Sequence, residues 1–560
     1  MKNRTALWAV LLSVSMLASA CGNAAAAQGT AAGIEAQTAA VGSSAAVTAA
    51  VQNTEAQQTE RAAEAASAAA DATTVIFNGT EAKINGSGAE FSDGVLKIVS
   101  GGSYTLSGSL EGHVLVETGK EDEVRLFLNG VQITSGGAYA IASVKGALLT
   151  VTMISGTTNT LTVTGTETEA ADGQELTEEQ EADAALYVKN DLVLEGEGTL
   201  EIDSSLKGVH AKDTLTIESG EYEIHSADDA FNGKDAVTVN GGSFSIVIAD
   251  TSEGKGITSK GDVLLNDGSM EIEACSEGIE GLTVAVNGGS WNITSEDDGI
   301  NAREKYEGDD EREKEMLSQQ NNEKVRMIFN GGTVTVNSKG DGLDSNGSIE
   351  MNGGAVYVSG SADNGNAAVD MNGEALVNGG ILFAAGAQGM TEPLSDSSAQ
   401  NIITVYYEAQ LPAGTVVTVT NAGGAELISW TVPKAFDMLQ ISAEGIRDGD
   451  EVTVKTGDEE KKITAAGINT YEGTRTGGFG GHGGRGGFGG QRPEGFDGQR
   501  PEGFGGRGMR GERPEGFEGM GGQPPEGMTP PEGMTPPEGM APPEGMTPPE
   551  EADKNSAAAQ

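Results

Sequence analysis

Nine residues after each of a series of recurring glycines stand Lys207, Asp229, Thr251, Glu277, Asp298, Asp341 and Asp363. One position earlier stand Asp228, Asp250 and Asp297. If the recurring segments stack, equivalent positions lie about 4.8 Å apart. Glu277, Asp298, Asp341 and Asp363 then form a column of four carboxylates along one edge. Each like-charged neighbour pair costs ~1 kcal/mol in water and ~3.5 kcal/mol at an effective dielectric of 20. Water, protonation or a bridging cation must relieve that repulsion. Hard oxygen donors from several loops, without histidine or cysteine nearby, suit Ca²⁺. The candidate ligands are Asp228, Asp229, Glu277, Asp297, Asp298, Asp341, Asp344 and Asp363. The competing reading is that Asp-Gly is a good turn former and the acids are solvated.

The elements that must position these acids repeat as well. The phrase reads Asn240-Gly-Gly-Ser-Phe-Ser-Ile, Asn287-Gly-Gly-Ser-Trp-Asn-Ile, Asn330-Gly-Gly-Thr-Val-Thr-Val, Asn352-Gly-Gly-Ala-Val-Tyr-Val and Asn378-Gly-Gly-Ile-Leu-Phe. Looser copies place the closing glycine at Gly198, Gly220 and Gly268, and successive gaps run 22, 22, 26, 21, 43, 22 and 26. A period of about 22 residues with small insertions means stacked units that touch only their neighbours. Each unit holds an apolar alternation, the glycine turn and a second alternating strand.

Two architectures fit. Asn-Gly between alternating strands signals a hairpin, so an array of hairpins is one. The fixed full-repeat period favours the other, an all-β, right-handed parallel β-helix. In that fold Asn240, Asn266, Asn287, Asn330, Asn352 and Asn378 stack as an amide ladder. No proline precedes Pro393, as strands paired on both sides require.

Several phrases together carry a family resemblance: Leu128-Asn-Gly-Val-Gln-Ile-Thr-Ser, Gly156-Thr-Thr-Asn-Thr-Leu-Thr, Ala184-Ala-Leu-Tyr-Val-Lys-Asn-Asp-Leu, and the Asp-Gly-Ile and Asn-Gly-Gly repeats. Residues 74–465 resemble the secreted carbohydrate-binding β-helix proteins first described from cellulolytic clostridia. The resemblance implies a pectate-lyase-like solenoid that binds calcium and plant polysaccharides such as cellulose or polygalacturonate.

The remaining chain divides by composition. Residues 1–21 read as a signal peptide, charged at Lys2 and Arg4 and apolar from Ala6 to Ala18. Cys21 at its end is the candidate lipid attachment site. Residues 22–73 are an Ala/Thr/Gln linker that cannot bury a core. The domain of stacked repeats spans 74–400, and a β-patterned cap spans 401–470. From 471 to 560 runs a low-complexity tail with Arg-Pro-Glu-Gly-Phe and Pro-Pro-Glu-Gly-Met repeats. The densely charged segment Asn301 to Lys324 follows Asp298 directly and reads as a solvated loop or short helix.

The charge balance, 84 acidic against 34 basic residues and −50 net, opposes binding to nucleic acid or to any bare polyanion. An acidic glycan then needs bridging divalent cations; a neutral one needs exposed aromatics. Phe244, Trp291 and Tyr357 lie on alternating strands and read as core or as one stacked ladder. A lyase needs a base beside its metal. No arginine occurs between Arg125 and Arg303, leaving Lys207, Lys255, Lys260 and Lys339, of which Lys339 stands nearest the column. The reading adopted is a monomeric, exported, lipid-anchored polysaccharide binder at the cell surface, with no catalytic residue assigned. A structural surface protein or adhesin and a calcium-dependent lyase are the alternatives.

Overall fold

The computed structural model describes residue 69 and residues 71–168, 170, 175–306, 308 and 310–476. The leader with Cys21, the linker to residue 68 and the tail from 477 lie outside the described residues.

Strand formation follows the alternation. Ala236–Val239 and Ser243–Ile248 bury every second side chain and expose or half-expose the others. Between such strands the closing glycines of Asn-Gly-Gly take positive φ, +80° at Gly289, +75° at Gly332 and +77° at Gly354. Stacking adds a second demand. A Cβ at Gly332 would lie 2.5 Å from the Gly288 carbonyl oxygen one repeat earlier. Glycine is thus required by conformation and by the close approach of backbones.

Sequential hairpins would pair neighbouring strands antiparallel. Instead, strands pair in parallel with their counterparts one repeat on. The strands before the glycine turn form one ladder: Thr214–Ile217, Ala236–Val239, Asp262–Leu265, Thr283–Val286, Arg326–Phe329 and Ser348–Met351. Those after it form a second: Glu221–Ser226, Ser243–Ile248, Ser269–Ala274, Ser290–Ser295, Thr333–Ser338, Ala355–Ser359 and Ile381–Gly386. A third ladder was not legible in the alternation. It runs through Lys207–Ala211, Phe231–Gly233, Ile257–Thr258, Ile279–Gly281, Ile300–Ala302, Leu343–Ser345 and Val369–Met371. The fold is all-β with long, mostly parallel sheets.

The expected amide ladder is present. Asn266, Asn287, Asn330, Asn352 and Asn378 each donate Nδ2 to the Oδ1 of the preceding asparagine, at 2.8–3.0 Å. The core lies between the ladders. In one repeat Val284, Val286, Trp291, Ile293 and Ile300 are all buried, each such aliphatic contributing about 1.5–3 kcal/mol. Tyr222 and Phe244 stack at 5.0 Å. Tyr357 departs from expectation. Val356, not Tyr357, continues the register of Trp291, and a shift of one residue turns a side chain to the opposite face. Tyr357 packs instead on Trp430, 5.5 Å between ring centroids.

Beyond the repeats the polarity changes. Phe436–Ala443 pairs antiparallel with Ile381–Gly386, the last strand of the second ladder, and with Ile402–Leu411. A separate antiparallel sheet holds Thr415–Asn421, Glu426–Val432, Glu451–Thr456 and Glu459–Thr464. The ordered β structure continues past the expected boundary at 470, because Asn469–Glu472 pairs with Ile402–Leu411.

Candidate functional site

The third ladder positions the acids. Its register aligns Phe231, Ile257, Ile279, Ile300, Leu343 and Val369. Two residues earlier the column therefore reads Asp229, Lys255, Glu277, Asp298, Asp341 and Ala367. Backbone hydrogen bonds agree: the N–H groups of Ala230, Gly256, Gly278, Gly299 and Gly342 donate to the carbonyls of Lys255, Glu277, Asp298, Asp341 and Ala367. Lys255 and Ala367 replace the expected Thr251 and Asp363. Both of those repeats carry four extra residues between the second and third strands, so counting nine from the glycine stops four short. Asp363 instead forms a local turn, its Oδ1 accepting the Gly365 N–H at 2.9 Å.

One residue after the aligned apolar position, a second polar column reads His210, Asn232, Thr258, Glu280, Asn301, Asp344 and Asp370. The two columns divide by charge. In the N-terminal half Lys207 pairs with Asp228 and Asp183, while burial and Asp228 raise the Asp229 carboxyl. Lys207 Nζ lies 3.0 Å from Asp228 and 3.0 Å from Asp183. Asp229 accepts from Asn232 Nδ2 at 2.8 Å and from the Lys255 N–H at 3.0 Å. In the C-terminal half Lys255, Arg303 and Lys305 converge on Glu277 and Glu280, and Asp298, Asp341, Asp344 and Asp370 follow along the two columns, with Asp297 next to Asp298.

Burial and mutual repulsion raise several of these carboxyls. Burial, then Asp297 and Asp341, pushes the Asp298 carboxyl up to about 7. Burial pushes Asp341 up to about 7. Burial, then Asp298 and Asp341, pushes Asp344 up to about 8. Glu277 is raised by burial and by Glu280. Glu280 is fully buried, yet Arg303, Lys305 and Lys255 outweigh that burial and hold its carboxyl down. Lys305 Nζ is 2.5 Å from Glu280 Oε1, and Arg303 pairs with the other oxygen. Sequence reading named Lys255 only as a candidate lyase base away from the acids, and took the segment holding Arg303 and Lys305 for a solvated loop or short helix. Anchoring the register on Gly-Ile and Gly-Leu, at Gly256, Gly278, Gly299 and Gly342, is the signal that finds Lys255.

Glu277, Asp297 and Asp298 offer carboxylate oxygens within 4.8 Å of one another. Glu277 is 6% exposed, and its Oε2 has no hydrogen-bond partner; Lys255 Nζ lies 3.7 Å from that oxygen and the Arg303 guanidinium 3.6 Å from Oε1. Asn301, whose Nδ2 donates to Asp298 at 3.2 Å, is buried with Oδ1 likewise unpartnered. Buried oxygen acceptors without donors, beside three clustered carboxylates, fit a hard divalent cation.

Residues 92–365 match the family model described as carbohydrate-binding domain-containing protein. That span takes in most of the three ladders and both columns up to Asp341 and Asp344. A relative from Acetivibrio thermocellus, named carbohydrate-binding domain-containing protein, is 29% identical over 133 residues, 23% of this chain and 44% of the relative. The chain thus spans less than half the length of the curated relative it matches. Among solved structures, the gadolinium derivative of the polysaccharide lyase-like protein from C. thermocellum is 21% identical. It covers 54% of this chain and 96% of its own, with a TM-score of 0.34.

Other candidates resolve more simply. Lys339 pairs with Glu296 rather than with the column. Cys275 is buried, and burial pushes its thiol up to about 12, which suits packing and not nucleophilic chemistry.

Proposed function

We propose that this chain is an exported polysaccharide-binding protein in which the three ladders wind as a right-handed parallel β-helix. The observation that carries the glycan class is the match of residues 92–365 to the carbohydrate-binding family model. The expected ligand is an acidic plant-type glycan such as polygalacturonate, or cellulose. Ca²⁺ is the proposed cofactor, held by Glu277, Asp297 and Asp298 with Asn301 beside them. When bound it would neutralise the charge that Glu277 and Asp298, raised by burial, otherwise shed by taking up protons. Asp341 and Asp344 lie in the same acidic half and would support the site electrostatically. Asp228 is paired with Lys207, and both oxygens of Asp229 are taken by the Lys255 N–H and the Asn232 amide, so the two are weaker candidates. Lipidation at Cys21 would place the monomeric protein at the cell surface.

The reading is that of a binder without catalytic turnover. A calcium-dependent lyase is the second reading, favoured by Arg303, whose guanidinium is 3.6 Å from Glu277 Oε1. Against it, Glu280 and Glu277 outweigh burial and hold the Arg303 proton more tightly, which disfavours a base.

The test is a thermal melt of the protein in EGTA and in Ca²⁺, each with and without polygalacturonate. A midpoint raised by calcium, and raised further by the glycan, supports the proposal. Absence of any glycan response, in melts and in pull-downs on insoluble glycans, would move the assignment to a structural surface protein. Ultraviolet-absorbing unsaturated product would establish the lyase.

A further inference from the structure

Tyr187, on the strand Ala184–Val188, has no exposed surface, and its hydroxyl has no hydrogen-bond partner among the described residues. That strand extends the third ladder toward the N-terminus. It pairs in parallel with Lys207–Ala211 and with Ile141–Lys145, which pairs in turn with His113–Glu117. The second column therefore continues beyond His210 as Tyr187, Ala142 and Leu115. We propose that residues 177–183 form a strap over this apolar end of the column, and that the strap opens and closes while the ladders beneath stay folded. Open, it uncovers Tyr187 and Tyr139 as surface continuous with the polar part of the column.

The strap is held mainly by side chains. The N–H groups of Gln180 and Glu181 donate to the Thr177 carbonyl, and that of Ala182 to the Glu179 carbonyl, so these bonds close within the segment. Toward the ladders the strap reaches with acids. Glu178 pairs with Lys189, Glu181 lies 3.6 Å from Lys212, and Glu179 accepts the Tyr139 hydroxyl at 2.7 Å. Asp183, at the exit, lies 3.0 Å from Lys207 Nζ and 2.6 Å from His210 Nδ1. Its carbonyl also accepts the Lys207 N–H at 3.2 Å, which makes this end the hinge. The Glu178 and Glu181 pairs are partly exposed, where ion pairs contribute little and salt screens them. Ala182 is the strap side chain that joins the apolar cluster of Leu115, Tyr139, Ala142 and Tyr187. A segment with so little apolar burial and exposed anchors belongs to the low end of local stability.

Closure also carries a cost. Burial, then Glu181 and Asp183, push the Tyr187 hydroxyl up, so it keeps its proton and needs an acceptor. A buried donor left without one is destabilising, and water supplies the acceptor once the strap lifts. The rings beneath keep their own partners: Tyr187 meets His210 edge-on at 5.7 Å, and Tyr139 meets His113 at 4.8 Å. Opening therefore gives up screened ion pairs, the Glu179–Tyr139 hydrogen bond and the burial of one alanine, and satisfies Tyr187.

The test is oxidative footprinting of the full chain, read by mass spectrometry at Tyr139 and Tyr187, with Tyr222, buried in the core, as the control. Between about 0.01 M and about 1 M salt the screening length falls tenfold. Labelling at Tyr139 and Tyr187 should rise severalfold over that range, and labelling at Tyr222 should stay constant. Asp183→Asn should raise both strap-covered signals at low salt. Tyr187→Phe keeps the ring and removes the unpartnered hydroxyl, so it should tighten the strap and lower labelling at Tyr139 about fivefold or more. If circular dichroism shows that Asp183→Asn does not fold, the salt series and Tyr187→Phe still decide. Salt-independent labelling at Tyr139 and Tyr187 would overturn the strap, as would a rise shared by Tyr222. So would labelling at Tyr139 in Tyr187→Phe that equals or exceeds that of the unaltered protein.

Discussion

Asp298 and Asp341, 43 positions apart in the chain, are neighbours in the column, and the carboxylate of the first accepts the backbone N–H of the second at 2.8 Å. The relationship recurs: Asp229 accepts from Lys255, and Asp341 from Ala367. An aspartate here therefore serves the fold by bonding an otherwise unused N–H in the next repeat. Its second oxygen accepts a side-chain amide, from Asn301 at Asp298 and from Asn232 at Asp229, and its charge is left over for other chemistry.

That division of labour separates calcium binding from stability. Asp298→Asn keeps an acceptor for the Asp341 N–H but removes the charge. We expect a melting midpoint in EGTA close to that of the unaltered protein. The calcium-induced rise should shrink sharply, from the ~2.7 kcal/mol available at a hundredfold excess over Kd. Differential scanning calorimetry with and without calcium reads both. An unchanged calcium response would remove Asp298 from the site.

The raised acids set a pH dependence. Asp298, Asp341 and Asp344 titrate at about 7, 7 and 8 in the fold, against about 4 when unfolded. Between those values the folded state binds more protons, so stability falls as pH rises. Glu280, held down, acts oppositely and loses its contribution only in strong acid. In EGTA the midpoint should decline from pH 5 to pH 8. Saturating calcium should flatten that slope, since a bound cation keeps the acids ionised at every pH in the window. Melts across this range check both curves, and a slope equal with and without calcium would count against the cation.

The amide ladder allows a test by position. Asn287 both donates to Asn266 and accepts from Asn330, whereas Asn378 donates to Asn352 and closes the row. At about 1 kcal/mol per bond, Asn287→Ala should cost about twice as much as Asn378→Ala. Urea unfolding at constant slope measures the difference.

Close stacking predicts a fourth effect. A Cβ at Gly342 would meet Val358 Cγ1 at 2.1 Å and the Ala368 carbonyl at 2.4 Å. Gly342→Ala should destabilise by about 1–3 kcal/mol, seen as a lowered urea midpoint.

Much of this architecture could be read before any coordinates existed, and the failures have physical causes. The ladders on either side of the glycine turn announce themselves because their strands are long enough to alternate, and the asparagine row because its spacing follows the repeat. The third ladder does not. Phe231–Gly233 and Ile257–Thr258 are too short for a period of two to appear. The column then slipped by four residues wherever a longer turn intervened, admitting Thr251 and Asp363 and hiding Lys255. Tyr357 misled for a related reason: one residue of offset exchanges core for surface. Arg303 and Lys305 were invisible because a dense run of charges looks solvated, whatever buried partner it meets.

Parallel stacking carries no stop of its own, since each repeat presents to the next the same donors and acceptors that it received. Phe436–Ala443 runs against the final parallel strand and occupies its hydrogen-bonding side in the opposite sense. A strand from a second molecule, arriving with the polarity of the repeats, finds no vacant register there. At that ladder the last rung is thereby written into the chain.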